Sequence, residues 1–525
     1  MSTINDSTDT AVRPAQQAAV DTPTSIGEST VQDIPEGHLP PGIRPAPGAR
    51  GPRRIWTGEE QAAQENAEDP TRPVEIVEHA GGQTTGAAAS WPSRRTVRRR
   101  ARQGGAVYKL QTRDGRRTQR RVMGIDVARG VALFGMVAIH TLPAWSEAAQ
   151  GPTVTWTLFA GHSAALFAVL AGLSLALLTG GRRVQTGRRG LRSRVGLVLR
   201  AVLLLVAGLA LNLMWFPAYN ILPYYGLLFL LAVPLTLMRA GGLIVSAVVL
   251  LVGSPFLTYL VVRSTGAESV INPSLVDLFA DPLGVTVSLL LTGSYPAVTW
   301  MAFICLGMAL GRLPLHRERV QIGLLISGAV LAVSAYAASA LLIFRLGGMQ
   351  EIVSRTPGAT PSSVEDVMIF GPEPTLPTTT LWWLAIDGPH TNTPFAVALS
   401  GGIALAALGT LLLVSRLAGR WLRPVAAVGS MTLTFYTAHL VFLSWVDVEA
   451  TPWFWFGIQM AVAIIAAMAW QRASGRGPLE RLLSLLCAAP ARLIVPRSQA
   501  EAARADDVGS PPGQSDQHTA AQHRS

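Results

Sequence analysis

The chain has 525 residues, 49% of them hydrophobic and 14% charged, with a formal charge of +11. Soluble domains carry about 25% charged residues, so this deficit points away from a soluble globular protein and toward a membrane protein. The arginines gather at the ends of long apolar runs, without aromatic residues interleaved on one domain, which argues against nucleic acid as a partner.

Residues 1–120 are rich in Pro, Ala, Gly, Thr and Glu over their first hundred positions and show no helical or strand period. Such a stretch cannot bury enough apolar surface to offset its ordering entropy and is expected to be disordered. It also lacks the apolar core of a secretory signal. Between Trp91 and Ile125 there are twelve Arg or Lys residues and a single acid, Asp114. A basic run before a first span is expected to stay cytoplasmic, against anionic lipid headgroups.

From Ile125 onward, apolar runs recur that are long enough to cross about 30 Å of hydrocarbon. They lie near 125–145, 155–179, 195–216, 218–238, 241–262, 286–311, 320–345, 394–415, 424–446 and 452–470. The expected fold is therefore an all-α polytopic membrane protein of about ten helices, because an open sheet would leave backbone groups unpaired in lipid. The domain plan is a disordered segment 1–120, a membrane domain 121–484 and a disordered tail 485–525.

The loops alternate in charge. "GGRRVQTGRRGLRSR", "RLPLHRER" and "RLAGRWLRP" are basic and fall on the side of the N-terminus. "SEAAQGP", the Arg263–Pro282 and Gly347–Thr393 loops and "VDVEATP" are neutral or acidic and fall on the other side. The positive-inside rule then places both termini in the cytoplasm.

Two cysteines, Cys305 and Cys487, are too separated in this plan to form a disulfide, and no metal-ligand spacing occurs. Four histidines, His140, His162, His390 and His439, fall at the extracytoplasmic end of their helices or loops. They could converge there, although each also has an ordinary role as an interhelical hydrogen-bond partner. In the first span, "GIDVARGVALFGMVAIH", Asp126, Arg129, Leu133, Met136 and His140 recur at steps of three or four and share a face. Asp126 and His140 are fourteen residues apart, about 21 Å along the helix. One polar stripe would link the cytoplasmic mouth to the outer half of the membrane; an i,i+3 ion pair between Asp126 and Arg129 is the structural alternative. In "SMTLTFYTAH", Thr432, Tyr436 and His439 share a face. Arg200 is close enough to its helix end to snorkel.

"RVMGIDVARGVALFGMVAIH" resembles the opening of the YeiB-like bacterial membrane proteins of unknown function. It is also similar to the first catalytic-domain helix of heparan-alpha-glucosaminide N-acetyltransferases. The resemblance continues through "GHSAALFAVLAGLSLAL", "GSYPAVTWMAFICLGMALGRL", "GPHTNTPFAVALSGGIALAALG", "LTFYTAHLVFL" and "GPLERLL", covering about Arg121 to Leu483. It implies acyl transfer across the membrane, from cytoplasmic acyl-CoA to a surface glycan or glycolipid. His140, His439 and His162 are then the candidate catalytic residues, and Arg129 and Asp126 the candidate donor-binding residues. No metal and no permanently bound cofactor are implied. The partners are the lipid bilayer, acyl-CoA and the glycan acceptor, with a homo-oligomer left open. In the acetyltransferase pattern an Asn occupies the place of His140 and the key His follows about one loop later. Here "TLPAWSEAAQGPTVTW" contains no histidine. Either His140 takes over that role, or this branch has another activity. A transporter or flippase using the same Asp, Arg and His groups as a proton or substrate path is the rival reading.

Overall fold

The computed structural model describes residues 107–108, 121–373 and 375–494. The expectation of disorder over 1–120 falls almost wholly outside these residues. The first described segment is a two-residue antiparallel pairing of β1 (Val107–Tyr108) with β2 (Arg121–Val122). Everything after it is helix and loop, apart from a second small pairing of β3 (Trp145–Ser146) with β4 (Gly151–Pro152).

In chain order the helices are α1 (Met123–Thr141), α2 (Val154–Phe159), α3 (His162–Leu178), α4 (Gly187–Leu211), α5 (Leu222–Leu235) and α6 (Ala240–Thr265). There follow α7 (Leu275–Ala280), α8 (Pro282–Val287), a π turn over Ser288–Thr292, α9 (Ala297–Leu310) and α10 (Glu318–Phe344). After α11 (Gly348–Arg355), α12 (Pro361–Phe370) and a 3₁₀ turn over Leu381–Ala385 come α13 (Pro394–Leu417), α14 (Arg423–Gly429), α15 (Thr432–Leu443), α16 (Pro452–Ala473) and α17 (Pro478–Ile494). Proline at the first positions of α5, α13 and α16 suits helix starts, where its missing N–H has no intrahelical partner to lose.

Among the described residues seven helical segments are long and apolar enough to cross a membrane, and nine if two bent pairs each count as one span. The protein is a multi-pass membrane protein. The span expected near 218–238 corrects to a shorter helix: α5 has fourteen residues, about 21 Å against about 30 Å of hydrocarbon. It still carries the chain from one end of the bundle to the other. At one end, the Arg312 guanidinium donates to the carbonyl of Gly181, after α3, at 2.5 Å and to that of Thr236, after α5, at 2.8 Å. At the other end, the Asn212 side chain donates to the Pro273 carbonyl at 2.8 Å, and the Asn220 backbone N–H donates to Asn272 Oδ1 at 2.8 Å. The link from α4 to α5 dips into the bundle, where Asn220 is fully buried. Non-helical backbone is tolerated at that depth because protein groups satisfy it: the Ile221 N–H donates to the Tyr436 hydroxyl at 3.1 Å. Hydropathy alone counts the buried link as helix.

Both bent pairs also differ from the uninterrupted spans expected. The π turn and α9 meet at 47°, and α14 and α15 at 78°. The second break, at Ser430–Met431, leaves the α15 amides without intrahelical partners. The Glu480 carboxylate from α17 accepts from the N–H of Leu433 at 2.8 Å and of Thr434 at 3.2 Å, and from the Thr434 hydroxyl at 2.6 Å. A negative group at a helix N-terminus also complements the helix dipole. Because α17 is helical to Ile494, the tail boundary expected at residue 485 moves toward the C-terminus.

The helices approach closely where glycine removes a side chain. A Cβ at Gly172 would lie 2.2 Å from the Ile304 carbonyl oxygen, and one at Gly307 would lie 1.9 Å from that of Val169, so α3 and α9 pack backbone to backbone. Small residues supply such contacts where lipid provides no hydrophobic drive between helices. The Gly347–Thr393 stretch, expected as a loop, instead folds over α11 and α12 around buried Ile343, Ile352, Val364, Trp383 and Ile386. Its apolar residues are too few and too widely spaced for a span, but they suffice for this small cap.

Candidate functional site

The two ends of α1 build two different environments. At the end that carries the basic loops, Asp126 and Arg129 form an i,i+3 ion pair at 3.1 Å, with Asp126 buried. Arg129 also donates to the Ser174 hydroxyl on α3, and that hydroxyl donates to the Leu170 carbonyl at 2.5 Å. The pair borders a cavity of about 1210 Å³. Arg182, Arg183, Arg200, Arg476 and His316 also line it, with Glu480 as the second acid beside Asp126. Five arginines against two carboxylates make the wall strongly positive. Guanidinium forks suit phosphate oxygens.

Arg200 corrects the sequence reading. It does not serve merely to snorkel away from the protein: it lines both this cavity and an adjoining one of about 290 Å³ between α4 and α17. Its Nε is buried without a hydrogen-bond partner. Ser430 and Thr432, at the break between α14 and α15, reach the same cavity. A Cβ at Gly429 would lie 1.8 Å from the Asp126 carbonyl oxygen, so α14 touches the backbone of α1 at this point.

At the opposite end of α1, the His140 and His439 rings lie parallel within 5°, with Nδ1 of His140 3.1 Å from Nε2 of His439. Nδ1 of His439 is 2.6 Å from Gln459 Oε1 on α16, and Gln459 Nε2 donates to the Thr141 hydroxyl at 3.3 Å. Four residues from three helices thus form one hydrogen-bonded chain, His140–His439–Gln459–Thr141. The sequence reading named both histidines but missed Gln459. Its signal was available: it is the one amide in the apolar run 452–470, and an intramembrane amide needs an interhelical partner.

The other two histidines are placed differently. His390 packs among aromatic rings. Its ring stands edge-on to Tyr219 and Tyr295, with centroids 5.3 and 5.2 Å away. It sits in the loop before α13 in a left-handed conformation, φ 56°. Burial pushes its imidazole below the usual value, against the opposing effect of the Ser294 carbonyl, which accepts from Nδ1 at 3.5 Å. His162 is joined instead to Ser400 on α13, at 3.0 Å.

The polar stripe expected along α1 is interrupted. Leu133 and Met136, on the same face, are 1% and 2% exposed, and Tyr436 is buried below His439. The basic cavity is not lined by any of the four histidines. About 17 Å of helix, eleven residues, separates Arg129 from His140. Among the described residues no group of three His, Cys, Asp or Glu is placed to hold a metal ion, and Cys305 and Cys487 are both free.

No curated protein matches the chain. Residues 121–346 match the family model described as heparan-alpha-glucosaminide N-acetyltransferase, catalytic. That stretch holds Asp126, Arg129, His140, His162 and the cavity arginines 182, 183 and 200, and ends before His390, His439 and Gln459. Over these residues the chain is similar to the catalytic part of heparan-alpha-glucosaminide N-acetyltransferases.

Proposed function

We propose that the protein moves an acyl group from cytoplasmic acyl-CoA to an amine or hydroxyl of an extracytoplasmic glycan or glycolipid. The observation that carries this reading is the division of α1, with a large arginine-lined cavity at one end and a paired imidazole at the other. The cavity suits the phosphates of a nucleotide thioester. An extended pantetheine arm can cover the roughly 17 Å to His140. Leu133, Met136 and Tyr436 lie between, so the arm passes only when these side chains move aside. Acyl-CoA enters as a substrate and leaves as CoA, so no resident cofactor is required.

At the far end, neutral imidazole is a competent general base near pH 7. The acceptor nitrogen or oxygen attacks the thioester carbonyl while His140 takes its proton. The C–S bond breaks, the thiolate recovers that proton from the imidazolium, and acylated acceptor and CoA thiol result. The orientation follows from loop charge: the arginine cavity faces the cytoplasm of a bacterial cell, in the inner membrane, and both termini lie on that side.

Two experiments test this reading. Arg129→Ala should weaken binding of acetyl-CoA by about 1.5–3 kcal/mol, the value of a charged hydrogen bond, without a matching loss of turnover at saturation. Calorimetry on purified protein measures the first quantity and a labelled-acyl assay with a lipid extract the second. Unaltered donor affinity would remove Arg129 from the donor site. For topology, a cysteine placed between Gly347 and Thr393 should react with an impermeant reagent in intact cells, whereas tags after Met1 and before Ser525 should need permeabilisation. Labelling of either tag from outside would reverse the orientation.

A further inference from the structure

A histidine pair joined through one nitrogen of each ring leaves its reactivity to a question of tautomer. In neutral imidazole one nitrogen carries hydrogen and the other a lone pair, and the hydrogen bond at one decides the state of the other. The atom facing Nδ1 of His439 is Gln459 Oε1, at 2.6 Å. An amide oxygen only accepts, so Nδ1 of His439 carries the hydrogen and its Nε2 the lone pair. That lone pair faces Nδ1 of His140 at 3.1 Å, and the ring centroids are 5.4 Å apart, a separation that suits an N–H···N bond in the ring plane. His140 therefore donates through Nδ1, and its Nε2 is left bare.

We propose that Gln459 is a positioning residue that sets this sequence of tautomers and makes Nε2 of His140 the basic nitrogen of the site. In the arrangement shown, the other end of the amide, Nε2, donates to the Thr141 hydroxyl at 3.3 Å. Turning the amide over would invert the whole row. Gln459 would then donate to His439 Nδ1, His439 would carry hydrogen on Nε2, and His140 would accept at Nδ1. The outward nitrogen of His140 would hold a hydrogen and lose its basicity. One amide on α16 thus decides whether the pair can take a proton. Only what the lone pair acts upon rests on the acyl-transfer reading; the tautomers rest on the Gln459 oxygen facing His439.

The experiment is nitrogen NMR of ¹⁵N-histidine-labelled full-length protein in lipid nanodiscs, with His140 and His439 assigned by single substitutions. In the unmodified protein both rings should show hydrogen on Nδ1 and a bare Nε2. In Gln459→Leu this bias should disappear. The kcat with acetyl-CoA should fall at least tenfold and toward the order of 10⁴-fold, the cost of a wrong tautomer at a catalytic histidine. The KM for acetyl-CoA should stay unchanged, since Gln459 does not line the donor cavity. Gln459→Glu retains an accepting oxygen and should restore the tautomers and most of the turnover. Its carboxylate favours protonated rings, so the acid limb of kcat should move to higher pH; His390, the histidine of the loop before α13, is unaltered in this comparison. Hydrogen on Nε2 of His439 in the unmodified protein, or spectra unchanged in Gln459→Leu, would overturn the proposal. If the unmodified protein does not consume acetyl-CoA, the acyl-transfer reading fails, while the spectra still decide the role of Gln459.

Discussion

His140→Ala should lower turnover with acetyl-CoA on the order of 10²–10⁴-fold, the range for loss of a general base, while donor affinity stays within twofold. The separation follows from the geometry: Arg129 lies about 17 Å from His140 along one helix, and the other arginines line the same cavity as Arg129. The substitution also removes the partner of His439 Nε2. His140→Asn is therefore the necessary companion, since its amide can still donate to that nitrogen yet cannot act as a base near pH 7. Both variants should be inactive, and the Asn variant should melt closer to the unmodified protein. Turnover, donor affinity and melting temperature are to be measured on the same preparations. A folded His140→Ala protein with normal turnover would sink the assignment, and His439 would be the next residue to test.

Arg312→Met should cost about 3–6 kcal/mol of stability, because two hydrogen bonds from a charged donor, each of about 1.5–3 kcal/mol, disappear together. Arg312 is 8% exposed, and its guanidinium joins the chain after α3, after α5 and after α9. Methionine fills much of the volume but leaves the carbonyls of Gly181 and Thr236 without this donor. Arg312→Lys, with a single ammonium group, should fall between the two. Arg319→Met, at an exposed position on α10, should stay within about 0.5 kcal/mol. Thermal unfolding in detergent measures the series. Equal melting temperatures for Arg312→Met and Arg319→Met would show that the three chain ends are held by packing alone. The short α5 would then need another explanation for how it bridges the bundle.

Hydropathy determined much of this protein, because lipid imposes one rule on every residue it touches. Backbone groups must pair within their own segment, so a long apolar run in lipid is a helix whatever surrounds it. Hence seven long helices and two broken ones stand where the apolar runs predicted them. The rule fails where protein replaces lipid around the chain. The buried link at Asn220, the π turn and the break at Ser430 each find backbone partners in other helices, and apolarity cannot distinguish them from a continuous helix. The i,i+3 pair of Asp126 and Arg129 was likewise legible, being local to one helix, as was the face shared by Tyr436 and His439. Contacts between helices were not. That His140 meets His439 and not His162, that Gln459 joins His439 to Thr141, and that Arg200 faces a cavity depend on how α1, α4, α15 and α16 rotate against one another. Contacts such as Gly429 on Asp126, between residues far apart in the chain, hold such helices against one another. Periodicity along one helix records which residues share a face; only the packed bundle decides what that face meets.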